Sequence, residues 1–216
     1  MSGVMARMTA ILCGVVALIG CSGTSVPQSA AAPPSTPPAM GWKQTATPTD
    51  RDRLRRWRSA WLAALAEARG KDDGAIAADP DLFSPDHALA GAVPPPGDYR
   101  CRIIKLGSQG HRRLDYVSYP RFACRIEHEG DVSSLYKIDG SQRPVGLIFP
   151  DNGARGIFLG TMMMADEQRA MQYGRDSQRD LAAVVERIAD KRWRLVFPYP
   201  HMESTLDVME LVPATP

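Results

Sequence analysis

The chain has 216 residues and a formal net charge of +2. A balance that close to neutral gives no general attraction to nucleic acid, so no nucleic-acid partner is expected. Its 18 glycines and 18 prolines argue against a bundle of long helices and for many short strands joined by turns.

Met1 to Gly20 is a short apolar run with one cation, Arg7, and it leads into Leu18-Ile19-Gly20-Cys21. A membrane crossing needs about 20 consecutive apolar residues, and this run is shorter and ends in small residues as a cleavage site does. The last four residues resemble the lipobox of bacterial lipoproteins, in which a signal peptidase cuts before the cysteine and its thiol receives lipid. The resemblance implies that residues 1–20 are a signal peptide and that Cys21 carries the lipid, palmitate among its acyl chains. The membrane is then a partner through that anchor. Ser22 in place of an aspartate at the next position implies a lipoprotein sorted to the outer membrane and facing the periplasm.

Residues 21–48 follow, composed largely of Ala, Ser, Thr and Pro, with Pro27, Pro33, Pro34, Pro37, Pro38 and Pro48. So little apolar bulk cannot offset the entropy of ordering, which predicts a disordered tether. Its root-mean-square reach is roughly 30 Å. Trp42 is its one bulky side chain, a candidate to dock on the folded part.

The folded part is expected over residues 49–213. It begins with a helix: Thr49 precedes Asp50-Arg51-Asp52 in a capping-box-like start, and Leu54, Trp57, Trp61, Leu65 and Ala68 recur at three or four residues. Gly70 supplies the stop. Arg51, Arg53, Arg55, Arg56 and Arg58 crowd the first turns, either as a solvated face paired with Asp50 and Asp52 or as a contact for anionic lipid phosphate. Lys71 to Pro96 is irregular and ends at Pro94-Pro95-Pro96-Gly97.

Beyond it come runs with strand character: Tyr99–Leu106, Leu114–Tyr119, Arg121–Glu127, Ser134–Ile138, Pro144–Phe149, Gly156–Thr161, Ala183–Ile188, Trp193–Phe197 and Thr205–Leu211. Several alternate, with Phe122, Cys124 and Ile126 on one face, as are Val145, Leu147 and Phe149, and Trp193, Leu195 and Phe197. Short turn clusters between them require antiparallel neighbours. The exception is Met162 to Arg179, which reads as a crossover containing a helix at Ala165–Met171. The fold class expected is mainly β within α+β: a single antiparallel β-barrel or sandwich of about eight or nine strands with an N-terminal α-helix.

Cysteine usage bears on the compartment. Cys13 leaves with the signal and Cys21 takes the lipid, so Cys101 and Cys124 remain where disulfides persist. They form either a bridge, which would stabilise by roughly 3 kcal/mol, or two buried free thiols.

The chain offers little that carries chemistry. Its histidines, His87, His111, His128 and His201, stand at no zinc-ligand spacing, so no metal and no cofactor is expected. His201, Ser204 and Asp207 supply the residue types of a hydrolytic triad, but at a strand spacing that separates neighbours onto opposite faces and without a Gly-x-Ser-x-Gly elbow. Met162, Met163 and Met164 cannot all face one copper centre from a strand. Most suggestive is the hairpin tip Lys137-Ile138-Asp139-Gly140-Ser141-Gln142-Arg143. Lys137, Ser141, Gln142 and Arg143 would grip an anionic or glycan ligand at a barrel mouth, or else are simply solvated.

Three strings carry a further resemblance: Pro96-Gly97-Asp98-Tyr99-Arg100-Cys101-Arg102-Ile103-Ile104-Lys105-Leu106-Gly107; Asp139-Gly140-Ser141-Gln142-Arg143-Pro144-Val145-Gly146; and Val185-Glu186-Arg187-Ile188 through Arg192-Trp193-Arg194-Leu195-Val196 to Glu203-Ser204-Thr205-Leu206-Asp207. Together they resemble an uncharacterised family of bacterial envelope proteins, domain of unknown function 4893, over about Asp50 to Pro213. The resemblance implies one domain and no catalytic residue. The expectation is therefore a lipid-anchored, non-enzymatic envelope domain that binds a protein or polymer of the envelope. The rivals are a lipocalin-like carrier of a small apolar ligand and an inhibitor of a periplasmic protease.

Overall fold

The computed structural model describes residues 41–110 and 115–215. The segments read from sequence as signal peptide and, up to residue 40, as tether, with Cys21, His111 and the start of the run at Leu114, lie outside the described residues. Four helices come first: α1 (Trp42–Thr45), α2 (Pro48–Arg55), α3 (Trp57–Ala77) and α4 (Pro80–Phe83). The strands are β1 (Gly97–Leu106), β2 (Tyr116–Ser118), β3 (Phe122–Glu129), β4 (Val132–Lys137), β5 (Gln142–Asn152), β6 (Arg155–Met164), β7 (Asp180–Ala189), β8 (Arg192–Pro198) and β9 (Leu206–Pro213).

From β3 to β9 every strand pairs antiparallel with its sequence neighbour, β1 pairs with β3, and β1 closes the ring against β9 from Tyr99↔Pro213 to Leu106↔Leu206. The other edge of β1 is shared. Its first half pairs with β3 and its last residues, Ile104 to Leu106, with the extra strand β2. The result is a closed eight-stranded antiparallel barrel with one additional short strand, in up-and-down order. Closure leaves few backbone groups at unpaired sheet edges, which is what so many short strands require.

Period-two alternation assigns the inward face. Tyr99, Cys101 and Ile103 on β1 point the same way as Cys124 and Ile126 on β3, Leu195 and Phe197 on β8, and Met209 and Leu211 on β9. Cys101 and Cys124 are bridged within this interior, with Cα atoms 6.0 Å apart. Phe158 and Phe197 meet edge to face at 5.9 Å, and Tyr99 and Trp193 at 6.1 Å. Gly146 and Gly160 are direct partners beneath the Phe158 ring. A Cβ on Gly146 would stand 2.3 Å from the Leu159 carbonyl oxygen and 2.8 Å from the ring, so only glycine fits there.

One end of the barrel is closed by the irregular segment before β1. The Tyr99 hydroxyl donates to the Pro95 carbonyl at 2.6 Å, and the Trp193 indole N–H to Gly91 at 3.1 Å. Burial pushes the Tyr99 phenol up to about 12.

The helices cover the outside of one wall. Ala60, Trp61, Ala64, Leu65 and Ala68 of α3 are buried in one apolar cluster with Leu82 and Phe83 of α4 and the outward side chains Ile104, Ala182, Val184, Val196 and Val208. The segment read from sequence as one helix from Thr49 divides at Arg56, where the backbone leaves helical geometry. Its cap is Thr47, whose hydroxyl accepts from the Asp50 N–H at 3.2 Å, because Pro48 takes the first helical position. Residues 41–48, read from sequence with the tether, carry α1, and the Trp42 indole N–H donates to Asp151 at 2.7 Å.

The expected crossover helix at Ala165–Met171 is not formed. β6 and β7 are antiparallel neighbours joined by a loop. Ala165 sits at a positive φ of 45°, and its carbonyl and that of Glu167 accept from the Arg143 guanidinium, which takes acceptors a helix would use. The Glu167 carboxylate in turn takes the Met164 N–H and the Arg179 guanidinium.

The five crowded arginines each find a partner in the protein. Arg55 and Arg56 reach Asp52, Arg58 reaches Asp86, and Arg51 reaches the Lys43 carbonyl. Arg53 is buried against Asp50 and also donates to the carbonyls of Asp180 and Tyr199.

Candidate functional site

At the end of the barrel opposite the closing segment, the inward positions stop filling the interior. There Ile103 and Lys105 of β1, Phe122 of β3, Lys137 of β4, Pro144 of β5, Met162 of β6, Leu181 of β7 and Asp207 of β9 surround a cavity of about 570 Å³. That volume is the liquid share of roughly 19 water molecules and lies in the range of small-ligand pockets. Ile103, Phe122 and Met162 are only partly buried and pack down onto the interior cluster, which forms the floor. The rim is made of loops: Tyr119-Pro120-Arg121, Asp139-Gly140-Ser141, Gln178-Arg179 and Pro200-His201-Met202.

The hairpin tip singled out in the sequence supplies part of this mouth. Lys137, Ser141 and Gln142 line it, whereas Arg143 does not. Arg143 alternates to the outer face and donates to the carbonyls of Gly140, Ala165 and Glu167 at 2.6, 2.6 and 2.7 Å, tying the tip to the β6–β7 loop. Lys105, Asp207, Met162 and Leu181 were not singled out as ligand-binding residues. Their signal is a charge or flexible side chain at the end of an apolar inward series: Lys105 follows Tyr99, Cys101 and Ile103, and Asp207 precedes Met209 and Leu211.

Electrostatically the mouth is mixed. The Lys105 ammonium lies 3.6 Å from the Asp207 carboxylate, with side-chain exposures of 11% and 15%. Asp207 is also hydrogen-bonded to the Ser204 hydroxyl. The β8–β9 connection carrying His201 holds two non-glycine residues at positive φ, Tyr199 at 47° and Glu203 at 56°. Such backbone costs energy and is retained where the surroundings enforce it. Gln109 does so here, its amide N–H groups donating to the carbonyls of Pro200 and Ser204 at 2.8 and 2.6 Å. Among the described residues His201 has no hydrogen-bond partner, so the residue types of a triad do not assemble into one. Burial, and then the nearby Arg53, hold the His201 imidazole below its usual value. Met162 faces the cavity while Met163 opposes Arg143 on the outside, so the three methionines do not converge. No group of three or more His, Cys, Asp or Glu side chains able to hold a metal ion occurs among the described residues.

Burial pushes the Asp207 carboxyl above its ordinary 3.8, with Lys105 and Ser204 opposing the rise. The folded protein therefore holds this proton more tightly than the unfolded chain. The stabilising share of this group is full at low pH and is lost as pH rises from the ordinary carboxylate value through the raised one. Asp207→Asn should remove that decline from urea-unfolding midpoints measured across the acid range, because the amide stays neutral like the protonated acid it replaces. An unchanged slope would show that Asp207 is not its source.

No curated protein and no solved structure matches this chain. A family model does, over residues 42–211, a span that runs from α1 into the closing strand β9 and so takes in the helices, all but the last two strand residues of the barrel and every residue of the mouth. The chain belongs to the family described as domain of unknown function DUF4893.

Proposed function

We propose that this protein is a binding module that takes a small, partly apolar molecule into the open end of its barrel, and that it works in the cell envelope on a lipid anchor at Cys21. The observation that carries the binding reading is the mouth itself: an apolar-walled cavity of about 570 Å³ over a filled floor. A barrel whose interior were packed to both ends would offer a ligand nothing. This one is packed from the closed end to Phe158 and Phe197 and then opens. Desolvation of a ligand against Ile103, Phe122, Met162 and Leu181 supplies the driving force, and the polar rim orients it.

Titration of the full chain with the neutral fluorophore N-phenylnaphthylamine should show saturable binding. Met162→Trp, which fills the wall, should weaken it about tenfold, the cost of losing roughly 55 Å² of apolar contact. The melting profile should be unchanged. Absence of saturable binding would overturn the reading. The anchoring reading rests on Leu18-Ile19-Gly20-Cys21 and the Pro- and Ala-rich stretch behind it. Globomycin should make the uncut precursor accumulate, and normal processing in its presence would count against lipidation.

A further inference from the structure

We propose that the ligand is an amphiphile with one anionic head group, and that the Lys137 ammonium receives that group while the tail lies against Ile103, Phe122, Met162 and Leu181. This rests on the reading of the mouth as a ligand site and specifies its chemistry.

The argument is one of charge pairing. Four cations line the cavity, and three have carboxylates of their own. Lys105 is 3.6 Å from Asp207, Arg121 is 2.9 Å from Glu210, and Arg179 is 2.6 Å from Glu167. Lys137 differs. Among the described residues its ammonium makes neither a hydrogen bond nor an ion pair; it lies over the face of Phe122, 4.3 Å from nitrogen to ring centroid, and close to Gly140 of the hairpin tip. Register places it inward, because it is the direct partner of the bridged, interior Cys124.

None of the carboxylates at the mouth forms an ion pair with it among the described residues. Asp207 is held by Lys105 and Ser204, and Asp180 takes the Gly174 N–H at 2.9 Å. Asp139 is exposed at the hairpin tip, forms no ion pair among the described residues, and acts on Lys137 only through space. Ser141 and Gln142, whose side chains make no hydrogen bond among the described residues, stand on the same rim as neutral donors. A half-buried cation stacked on an aromatic ring, with donors beside it and an apolar wall below, is complementary to a carboxylate or phosphate carried on a hydrocarbon chain. Burial already holds the Lys137 ammonium below its usual value, with Asp139 partly opposing that, and a bound anion would relieve this cost.

The test is calorimetric titration of the full chain with four probes that share one tail: decanoate, decyl phosphate, decanol and decyltrimethylammonium, all below their micelle concentrations. At least one of the two anions should bind about tenfold more tightly than decanol, the increment of one charge-assisted contact, and whichever anion does so identifies the head group. Decyltrimethylammonium should bind more weakly than decanol. Lys137→Met, which keeps the stem over Phe122, should bring the anions to the level of decanol and leave decanol unchanged. Equal affinity of anions and alcohol, or an equal loss for all probes in the variant, overturns the inference and leaves the cavity reading standing. Failure of all four probes to bind overturns both.

Discussion

Arg194→Ala is expected to lower stability by about 3–5 kcal/mol, the loss seen when one member of a buried ion pair is removed. For a chain of this size that is a fall in melting temperature on the order of 10 °C. Arg194 is an outward residue of β8 with no exposed side-chain surface, and Glu186 on β7 is equally buried. All five guanidinium N–H groups are used. Two go to Glu186 at 2.9 and 2.6 Å, two to the carbonyls of Asp81 and Leu82, and one to the carbonyl of His87. The guanidinium also stacks on Trp61 at 4.5 Å. One side chain thus joins the barrel wall to α3, to α4 and to the loop after it. Alanine would take this donor from three carbonyls, that of the buried Leu82 among them.

Lysine at this position should recover little, since an ammonium cannot reproduce the planar fork. A paired replacement, Arg194→Met with Glu186→Leu, should recover part of the loss, because it removes both buried charges and lets Arg155, at 36% exposure, turn to solvent, although the three carbonyls stay without this donor. Denaturant unfolding decides the matter: if Arg194→Ala lies within about 1 kcal/mol of the parent chain, the helices are held to the wall without help from this side chain.

The same buried outer wall explains what the sequence could and could not disclose. Trp193, Leu195 and Phe197 alternate and were legible as a strand face, and the register places them inward. β7 shows no alternation because both its faces are buried: Leu181, Ala183 and Val185 inside, Ala182 and Val184 beneath the helices. Alternation also gives a face without its side. Val145, Leu147 and Phe149 share the outer face of β5, and Leu147 is 37% exposed, while Gly146 and Ile148 turn inward. Barrel against sandwich was undecidable locally. Closure depends on β1 pairing with β9, between segments about a hundred residues apart, and no short pattern encodes that choice. The missed loop at Ala165–Met171 is a case of tertiary contacts overriding propensity, with Arg143 taking carbonyls a helix would use and Arg179 holding the Glu167 carboxylate. Of the mouth, the hairpin tip was legible because turn residues and charge are local signals. Its other wall was not, since Lys105 and Asp207 meet only once the ring is closed.

Cys101→Ala with Cys124→Ala should cost about 3 kcal/mol, close to what closing a loop of this length removes from the entropy of the unfolded chain. The two residues are separated by 23 positions, and each lies two positions along the same face from the other's direct partner across the β1–β3 pairing, Cys101 opposite Phe122 and Cys124 opposite Tyr99. The bridge therefore staples the seam at which β1, already bound along its other edge to β9, completes the ring. Both sulfurs are fully buried beneath the mouth. A thiol reagent attacks along an open approach to the sulfur, so dithiothreitol should reduce the native protein no faster than the seam opens. Reduction should accelerate with urea in step with global unfolding, and the double-alanine variant should keep the native circular dichroism and the ligand affinity of the mouth while melting lower. Rapid reduction without denaturant, together with a variant that melts with its parent, would mean that ladder pairing and interior packing close the barrel unaided and that the bridge adds nothing to them.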